Sequence, residues 1–162
     1  MREQSVSHSG KTLLYTEDER ARRDATPWTV VQGVLAPLQF VVFLVSLVLV
    51  LRYLSTGEGY AAATVSVVLK TAVLYLIMVT GAIWEKVVFG QYLFAPAFFW
   101  EDVFSFGVIG LHTLYIVGLF ATSWGAETLM LIALAAYVAY VINAGQFVWK
   151  LRRARLDAEA MA

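Results

Sequence analysis

Three carboxylic acids stand at the two ends of one aromatic stretch of this chain. Glu85 lies near its start, and Glu101 and Asp102 end it. Seven of the 19 residues in 84–102 are aromatic, so the acids border a surface that suits a flat, apolar ligand. A carboxylic acid in such a place can donate a proton, and a second carboxylate can accept one. The pattern indicates proton chemistry on a flat apolar substrate, with solvated charges beside an interfacial aromatic belt as the alternative.

Further polar side chains stand inside stretches that are otherwise apolar. Lys70 and His112 each lie near the middle of one stretch, and Gln39, Asn143 and Gln146 lie in two others. Ionisable groups at membrane depth are costly and often functional, whereas amides also serve as hydrogen-bonding partners between helices. We expect Lys70 to contact substrate or relay protons, with a salt bridge or a carbonyl contact as the alternative. His112 can pack as a neutral side chain, bind a metal, or act as an acid or base.

Helical spacing relates these polar residues to the acids. At about 100° per residue, Glu101 falls on the stripe of His112, and Glu85 falls near the stripe of Lys70. Asp102 points away from His112. This spacing ranks Glu101 above Asp102 as the acid that faces the bundle.

Four apolar stretches must position these side chains. They cover 28–51, 60–84, 103–124 and 127–149. Each is long enough to cross a bilayer as a helix, which takes about 20 residues. Tryptophan and tyrosine mark the ends of these spans, as is usual at membrane interfaces. The predicted fold class is all-α: an integral membrane four-helix bundle with an aromatic-rich interfacial segment, 84–102, between its second and third helices.

Polar flanks complete the domain organisation. Residues 1–27 precede the four-span domain 28–149, and a basic tail follows at 150–162. Within the first flank, the part up to about residue 14 reads as disordered, and a capping pattern predicts a short helix at 17–24. Lysine and arginine concentrate in both flanks, so the positive-inside rule places both termini, and with them the aromatic segment, in the cytoplasm.

Composition excludes several classes of protein and site. The chain is 60% hydrophobic and 15% charged with a mean hydropathy of +0.70, which is typical of an integral membrane protein. Its net charge of zero gives no electrostatic basis for binding nucleic acid. The absence of cysteine excludes disulfides, iron–sulfur clusters and cysteine-based zinc sites. No nucleotide or flavin fingerprint is present.

Three long motifs resemble one family. They are ERARRDAT at 19–26 with VQGVLAPLQF at 31–40, the 81–102 segment, and YVINAGQFVWKLR at 140–152. Together they are similar to the 2-vinyl bacteriochlorophyllide hydratases, also called chlorophyllide 3-vinyl hydratases, of bacteriochlorophyll biosynthesis. The resemblance implies addition of water across the C3-vinyl group of chlorophyllide a or a related magnesium (bacterio)chlorin, giving a 1-hydroxyethyl group. It implies no cofactor, because the magnesium is part of the substrate.

Under this resemblance the carboxylates take the central roles. A general acid protonates the terminal vinyl carbon, and a general base directs water to the adjacent carbon. Glu101 and Glu85 are the leading candidates, and Asp102 is the third. Which of them is the acid and which is the base stays open.

The remaining polar and aromatic residues are expected to hold the substrate. His112 is assigned to the magnesium of the substrate, with a role as the base as the alternative. Lys70, Arg23 or Arg152 is expected to hold the propionate. The candidates for orienting water or a ring carbonyl are Gln39, Asn143 and Gln146, and the candidates for stacking on the ring are Phe94, Phe98, Phe99 and Trp100.

Two other functions stay open at the level of the sequence. A non-catalytic membrane protein that binds or carries a tetrapyrrole would use the same aromatic groups without the acids. A small proton-coupled transporter usually needs an acid inside a span, whereas each acid here lies at a span end or in a polar segment. The hydratase prediction places the chain in a bacterial inner membrane, cytoplasmic or intracytoplasmic. Its partners are the substrate and the lipid bilayer, with other pigment-biosynthesis enzymes or a second copy as further candidates.

Overall fold

A computed structural model describes residues 13–160 of the chain. The predicted disordered stretch therefore lies outside the described residues, apart from its last two positions. Within 13–160 the chain is all-helical, with five helices and no strand. These helices are α1 (Glu17–Ala25), α2 (Pro27–Thr56), α3 (Tyr60–Phe89), α4 (Phe99–Ala121) and α5 (Ala126–Glu159). In this part of the chain, α2 to α5 are long and apolar enough to cross a membrane, which confirms the predicted all-α fold with four membrane-length helices.

The boundaries of the helices differ from the predicted spans in an informative way. α3 continues to Phe89, and α4 already begins at Phe99, so most of the predicted interfacial segment is helical and only residues 90–98 connect the two. We call residues 90–98 the strap. Carboxylates in the first turn of α4 favour helix formation there through the helix dipole. α5 runs to Glu159 through the predicted basic tail, because lysine, arginine, leucine and alanine form helices well outside the membrane too.

The short first helix forms as the capping pattern predicts. Glu19 N donates to Thr16 Oγ1 at 3.2 Å, and Thr16 N donates to Glu19 Oε2 at 2.8 Å. The helix ends at Ala25, one residue beyond the prediction. Thr26 ends this helix and also caps α2, whose first residue is Pro27, so the chain turns directly from one helix into the next.

The four long helices form two antiparallel hairpins, α2–α3 and α4–α5, which pack together along α2–α5 and α3–α4. In the turn between α2 and α3, Gly57 and Gly59 adopt left-handed conformations, which favour glycine. Hydroxyl groups join the hairpins inside the bundle: Ser46 Oγ lies 2.7 Å from Ser66 Oγ and 2.6 Å from Tyr137 Oη. The apolar cluster at the centre of the bundle is aliphatic and aromatic, and polar side chains that include Lys70, Thr71 and His112 are buried beside it.

The short α1 helix closes one end of the bundle. Arg22 Nε donates to the carbonyl of Val88 at 2.9 Å, which ties α1 to the end of α3. Tyr15 stacks on Phe89 with their ring centroids 5.8 Å apart, and the Arg23 guanidinium lies over the Tyr15 ring. Burial raises the pKa of the Tyr15 hydroxyl to about 12. Tyr15 and α1 are therefore packed against the same end of the bundle that carries the strap.

Candidate active site

Two carboxyl groups meet where α3 ends and α4 begins. The side chains of Glu85 and Asp102 are hydrogen-bonded to each other, and the two residues are 5% and 3% exposed. We call them the carboxyl pair. Two carboxylates in contact in a buried place repel each other strongly, so such a pair holds a proton between its two groups. This arrangement supplies a proton donor beside an apolar surface.

Backbone amides of the strap hold this carboxyl pair in place. Phe94 N donates to Asp102 Oδ2 at 2.7 Å, and Ala95 N donates to Glu85 Oε2 at 3.3 Å. Phe94 adopts a left-handed conformation with φ of 59°, which is unusual for a bulky residue. This bend belongs to the same short stretch whose consecutive amides face the two acids, so the strap conformation and the position of the acids depend on each other.

Glu101 has a different environment, although it precedes Asp102 directly. Lys150 Nζ lies 2.6 Å from Glu101 Oε2 and also donates to the carbonyl of Ala97 at 2.5 Å. Successive residues on a helix point about 100° apart, so Asp102 faces α3 whereas Glu101 faces α5. The Lys150 ammonium group therefore forms an ion pair with the Glu101 carboxylate. The sequence ranks Glu101 above Asp102 for a single role, whereas the structure places them in two different environments. Glu101 pairs with Lys150, and Asp102 belongs to the carboxyl pair.

A hydrogen-bond network joins α4 to α5 behind Glu101. Asn143 Nδ2 donates to the Glu101 carbonyl at 2.9 Å, and Ser105 Oγ donates to Asn143 Oδ1 at 3.0 Å. Asn143 Nδ2 also lies 3.5 Å from Gln146 Oε1. Asn143 thus positions the first turn of α4, which carries two of the acids, while its predicted contact with water or a ring carbonyl stays a prediction.

Lys70 and His112 lie deep inside the bundle, close enough to interact electrostatically. Lys70 Nζ sits 3.7 Å from the centroid of the Tyr140 ring, and among the described residues it has no hydrogen-bond partner. His112 Nδ1 is 2.8 Å from the Val108 carbonyl, which assigns the proton to Nδ1 and leaves Nε2 without a partner there. Both side chains are fully buried, so their predicted contacts with substrate require the bundle to open.

Gln39 also has a buried polar atom without a hydrogen-bond partner among the described residues. It is buried on α2, and its Oε1 atom has no hydrogen-bond partner within residues 13–160. Its predicted role in orienting water at the reacting group stays a prediction, and the described contacts do not bring it to the acids.

The four predicted stacking residues divide into two groups. Phe98 is buried against Tyr15 and Phe147, so its ring is already covered by protein. The other three are exposed and form a chain of ring contacts that ends at a residue the sequence interpretation missed, Phe106. We call this set the aromatic face: Phe94, Phe99, Trp100 and Phe106. Seven positions separate Phe99 from Phe106, a spacing that places both on one side of a helix.

A cleft lined by charged side chains, an amide and a tryptophan opens beside Glu101, between the start of α4 and the C-terminal part of α5. Its volume is about 230 Å³. We call it the α4–α5 cleft, and its lining residues are Glu101, Gln146, Trp149, Lys150 and Arg153. The four on α5 stand at positions i, i+3, i+4 and i+7 and so share one helix face. The sequence interpretation chose Gln146 from this stripe but did not extend it to the other three.

Comparison with known proteins identifies the family. The model of the family described as 2-vinyl bacteriochlorophyllide hydratase (BCHF) matches residues 15–153. The chain belongs to this family. The match confirms the resemblance predicted from the motifs, and it covers the carboxyl pair, the strap and the α4–α5 cleft.

Two relatives that carry the name 2-vinyl bacteriochlorophyllide hydratase show how close the similarity is. The protein from Rhodobacter capsulatus is 71% identical over 154 residues, which cover 95% of this chain and 90% of the relative. The protein from Cereibacter sphaeroides is 75% identical over 147 residues, which cover 91% of each chain. No solved structure matches the chain.

Proposed function

We propose that this chain adds water across the vinyl group of a bacteriochlorophyllide, or of chlorophyllide a, with the carboxyl pair as the general acid. Membership of the 2-vinyl bacteriochlorophyllide hydratase family gives the reaction class, a hydro-lyase acting on a vinyl tetrapyrrole. The observation that carries the residue assignment is the buried contact between the Glu85 and Asp102 carboxyl groups. The pair supplies a bound proton next to Phe94, which belongs to the aromatic face.

The proposed chemistry uses the two carboxylate environments differently. The carboxyl pair gives its proton to the terminal vinyl carbon, and the π electrons form the new C–H bond. The positive charge left on the adjacent carbon spreads over the macrocycle, and the ionised Glu101 stabilises it. Water attacks that carbon and passes a proton to Glu101. Exchange with solvent then returns a proton to the pair and removes one from Glu101, so the net change is one added water.

The size of the α4–α5 cleft constrains where the substrate lies. At about 230 Å³ it is smaller than the roughly 300–1,000 Å³ of a site that encloses a drug-sized ligand. The macrocycle must therefore lie mostly outside the bundle, and the aromatic face offers exposed rings for stacking. Because the carboxyl pair is covered by the strap, the strap must shift for the vinyl group to reach it.

The fold also supports the proposed orientation in a bacterial inner membrane. The arginine side chains of α1 and the basic C-terminal part of α5 lie at the strap end of the bundle, as the contacts from Arg22 to Val88 and from Lys150 to Ala97 require. The opposite end, at the turn after α2, carries Arg52 with Glu58. The positive-inside rule then favours a cytoplasmic strap, so that the substrate is met from the cytoplasmic leaflet.

The direct test is to incubate the purified protein with chlorophyllide a and measure the gain of one water by mass spectrometry. We expect hydrated product with the wild type and none with the double variant Glu85→Gln/Asp102→Asn. The matched control is Glu58→Gln, an exposed acid at the other end of the bundle. Failure of the wild type with every vinyl chlorin tried would overturn the hydratase function. Normal turnover by the double variant would overturn only the role of the carboxyl pair.

A further inference from the structure

We propose that the α4–α5 cleft binds a carboxylate arm of the tetrapyrrole, with Arg153 as the group that recognises it. The inference rests on the proposed function, since a substrate of the chlorophyllide type carries a free propionate. It assigns a substrate contact to a residue that the sequence interpretation did not select.

The charges around the cleft favour one additional anion. Lys150 and Glu101 form a close ion pair, so their charges offset each other. Arg153 lines the same cleft, and within residues 13–160 it makes no hydrogen bond or ion pair. Arg153 is therefore the positive charge of the cleft lining that remains after Lys150 and Glu101 have paired. A guanidinium group offers two parallel N–H donors that match the geometry of a carboxylate.

The shape of the cleft suits a carboxylate attached to a large flat ring. Trp149 lines the cleft beside Arg153 and is 66% exposed. The arm can enter the small cleft while the macrocycle rests on this indole ring outside it. Glu101 lines the cleft and directly precedes Asp102 of the carboxyl pair, so anchoring at Arg153 holds another edge of the macrocycle near the reacting acids.

The other predicted propionate ligands are less available. Lys70 is fully buried in the middle of the bundle. Arg23 already pairs with Asp24 at 2.7 Å and lies over the Tyr15 ring. Arg152 is exposed, but it points away from the face of α5 that carries Lys150 and Arg153. Of these four cations, Arg153 is the one that lines the cleft beside the acids.

The test compares a free-acid substrate with its propionate methyl ester in the full-length membrane protein. Hydrogen bonds to charged groups contribute about 1.5–3 kcal/mol, which corresponds to roughly 10–150-fold in affinity. We expect the wild type to have a KM for the ester higher by that factor than its KM for the acid. Arg153→Gln should raise the KM for the acid to the level of the ester, with the KM for the ester and both kcat values nearly unchanged.

Two further variants and one binding measurement complete the design. Arg155→Gln, an exposed charge on the same helix, should behave as the wild type. The proposal is wrong if the wild type treats acid and ester alike, if Arg153→Gln weakens both equally, or if Arg152→Gln gives the selective loss instead. Titration of pigment absorbance measures the affinity for acid and ester without turnover. A failed hydration assay would therefore count against the proposed function only, and the comparison of the two affinities would still test the role of Arg153.

Discussion

The carboxyl group of Glu85 on α3 hydrogen-bonds to that of Asp102 on α4, inside the protein, and the strap that joins these helices donates one amide to each acid. The position of the proton and the conformation of the strap are therefore coupled. Ionising both acids would place two like charges in contact with little solvent, which is costly. A movement of the strap would remove the amides that stabilise the negative charge.

Replacing Asp102 by asparagine should separate proton transfer from structure. The amide can still accept from Phe94 N and donate to Glu85, so we expect the fold to be kept. The proton available to the vinyl group is lost or held differently, and general acid catalysis is worth about 10²–10⁴-fold. We expect kcat to fall by about that factor while pigment binding, followed by absorbance, changes little. A kcat within about threefold of the wild type would exclude Asp102 from proton transfer.

Glu101 and Lys150 should behave as a coupled pair. Glu101→Gln should lose turnover while the pigment still binds, since the charge that stabilises the intermediate is gone. Lys150→Met leaves the nearly buried Glu101 carboxylate without its partner, and we expect a loss of about 1–3 kcal/mol in the free energy of unfolding. The double variant Glu101→Gln/Lys150→Met should be more stable than Lys150→Met alone, but it should stay inactive.

Thermal unfolding in detergent and the hydration assay together measure this cycle. Non-additivity of the stability changes is the expected sign of a direct interaction. If the double variant is as unstable as the sum of the single variants, the ion pair does not couple the helices. Normal turnover by Glu101→Gln would show that Glu101 is neither the base nor the charge stabiliser.

Lys70→Met should stabilise the protein, because no carboxylate or hydrogen-bond acceptor among residues 13–160 contacts Lys70 Nζ. Burying an ammonium group without a hydrogen-bond partner costs free energy, and an apolar side chain of similar size does not carry this cost. The midpoint of thermal unfolding checks this, with Leu69→Met, an exposed neighbour on α3, as the control. We expect the KM for pigment to stay the same. A KM raised more than about tenfold would restore the predicted contact between Lys70 and substrate.

His112→Leu tests the predicted contact with the substrate magnesium. Because the His112 side chain is fully buried, we expect the bound pigment to show the same absorption bands with this variant as with the wild type. The variant loses the hydrogen bond to the Val108 carbonyl, so its stability should fall by about 1 kcal/mol. Titrating magnesium-containing and magnesium-free pigment provides the control. A preference for the magnesium form that disappears in His112→Leu would establish His112 as the ligand.

Several features of the fold could be predicted from the chain because they depend on local patterns. The capping box at Thr16 and Glu19 involves residues three positions apart, and the four spans follow from continuous apolar runs. The ends of the helices were predicted less well for a physical reason. Apolarity reports where lipid ends, whereas α3 and α5 continue as helices beyond that point.

By itself, the sequence determined that four apolar helices carry three acids near one aromatic connection, with Lys70 and His112 at membrane depth. Only the tertiary structure decided the partner of each acid: Glu85 for Asp102, and Lys150 for Glu101. Those contacts depend on how each helix is rotated about its axis. They also depend on the left-handed conformation of Phe94, in the stretch whose backbone amides point toward the acids. Neither is encoded by a local pattern, because both are set by the packing of residues far apart in the chain.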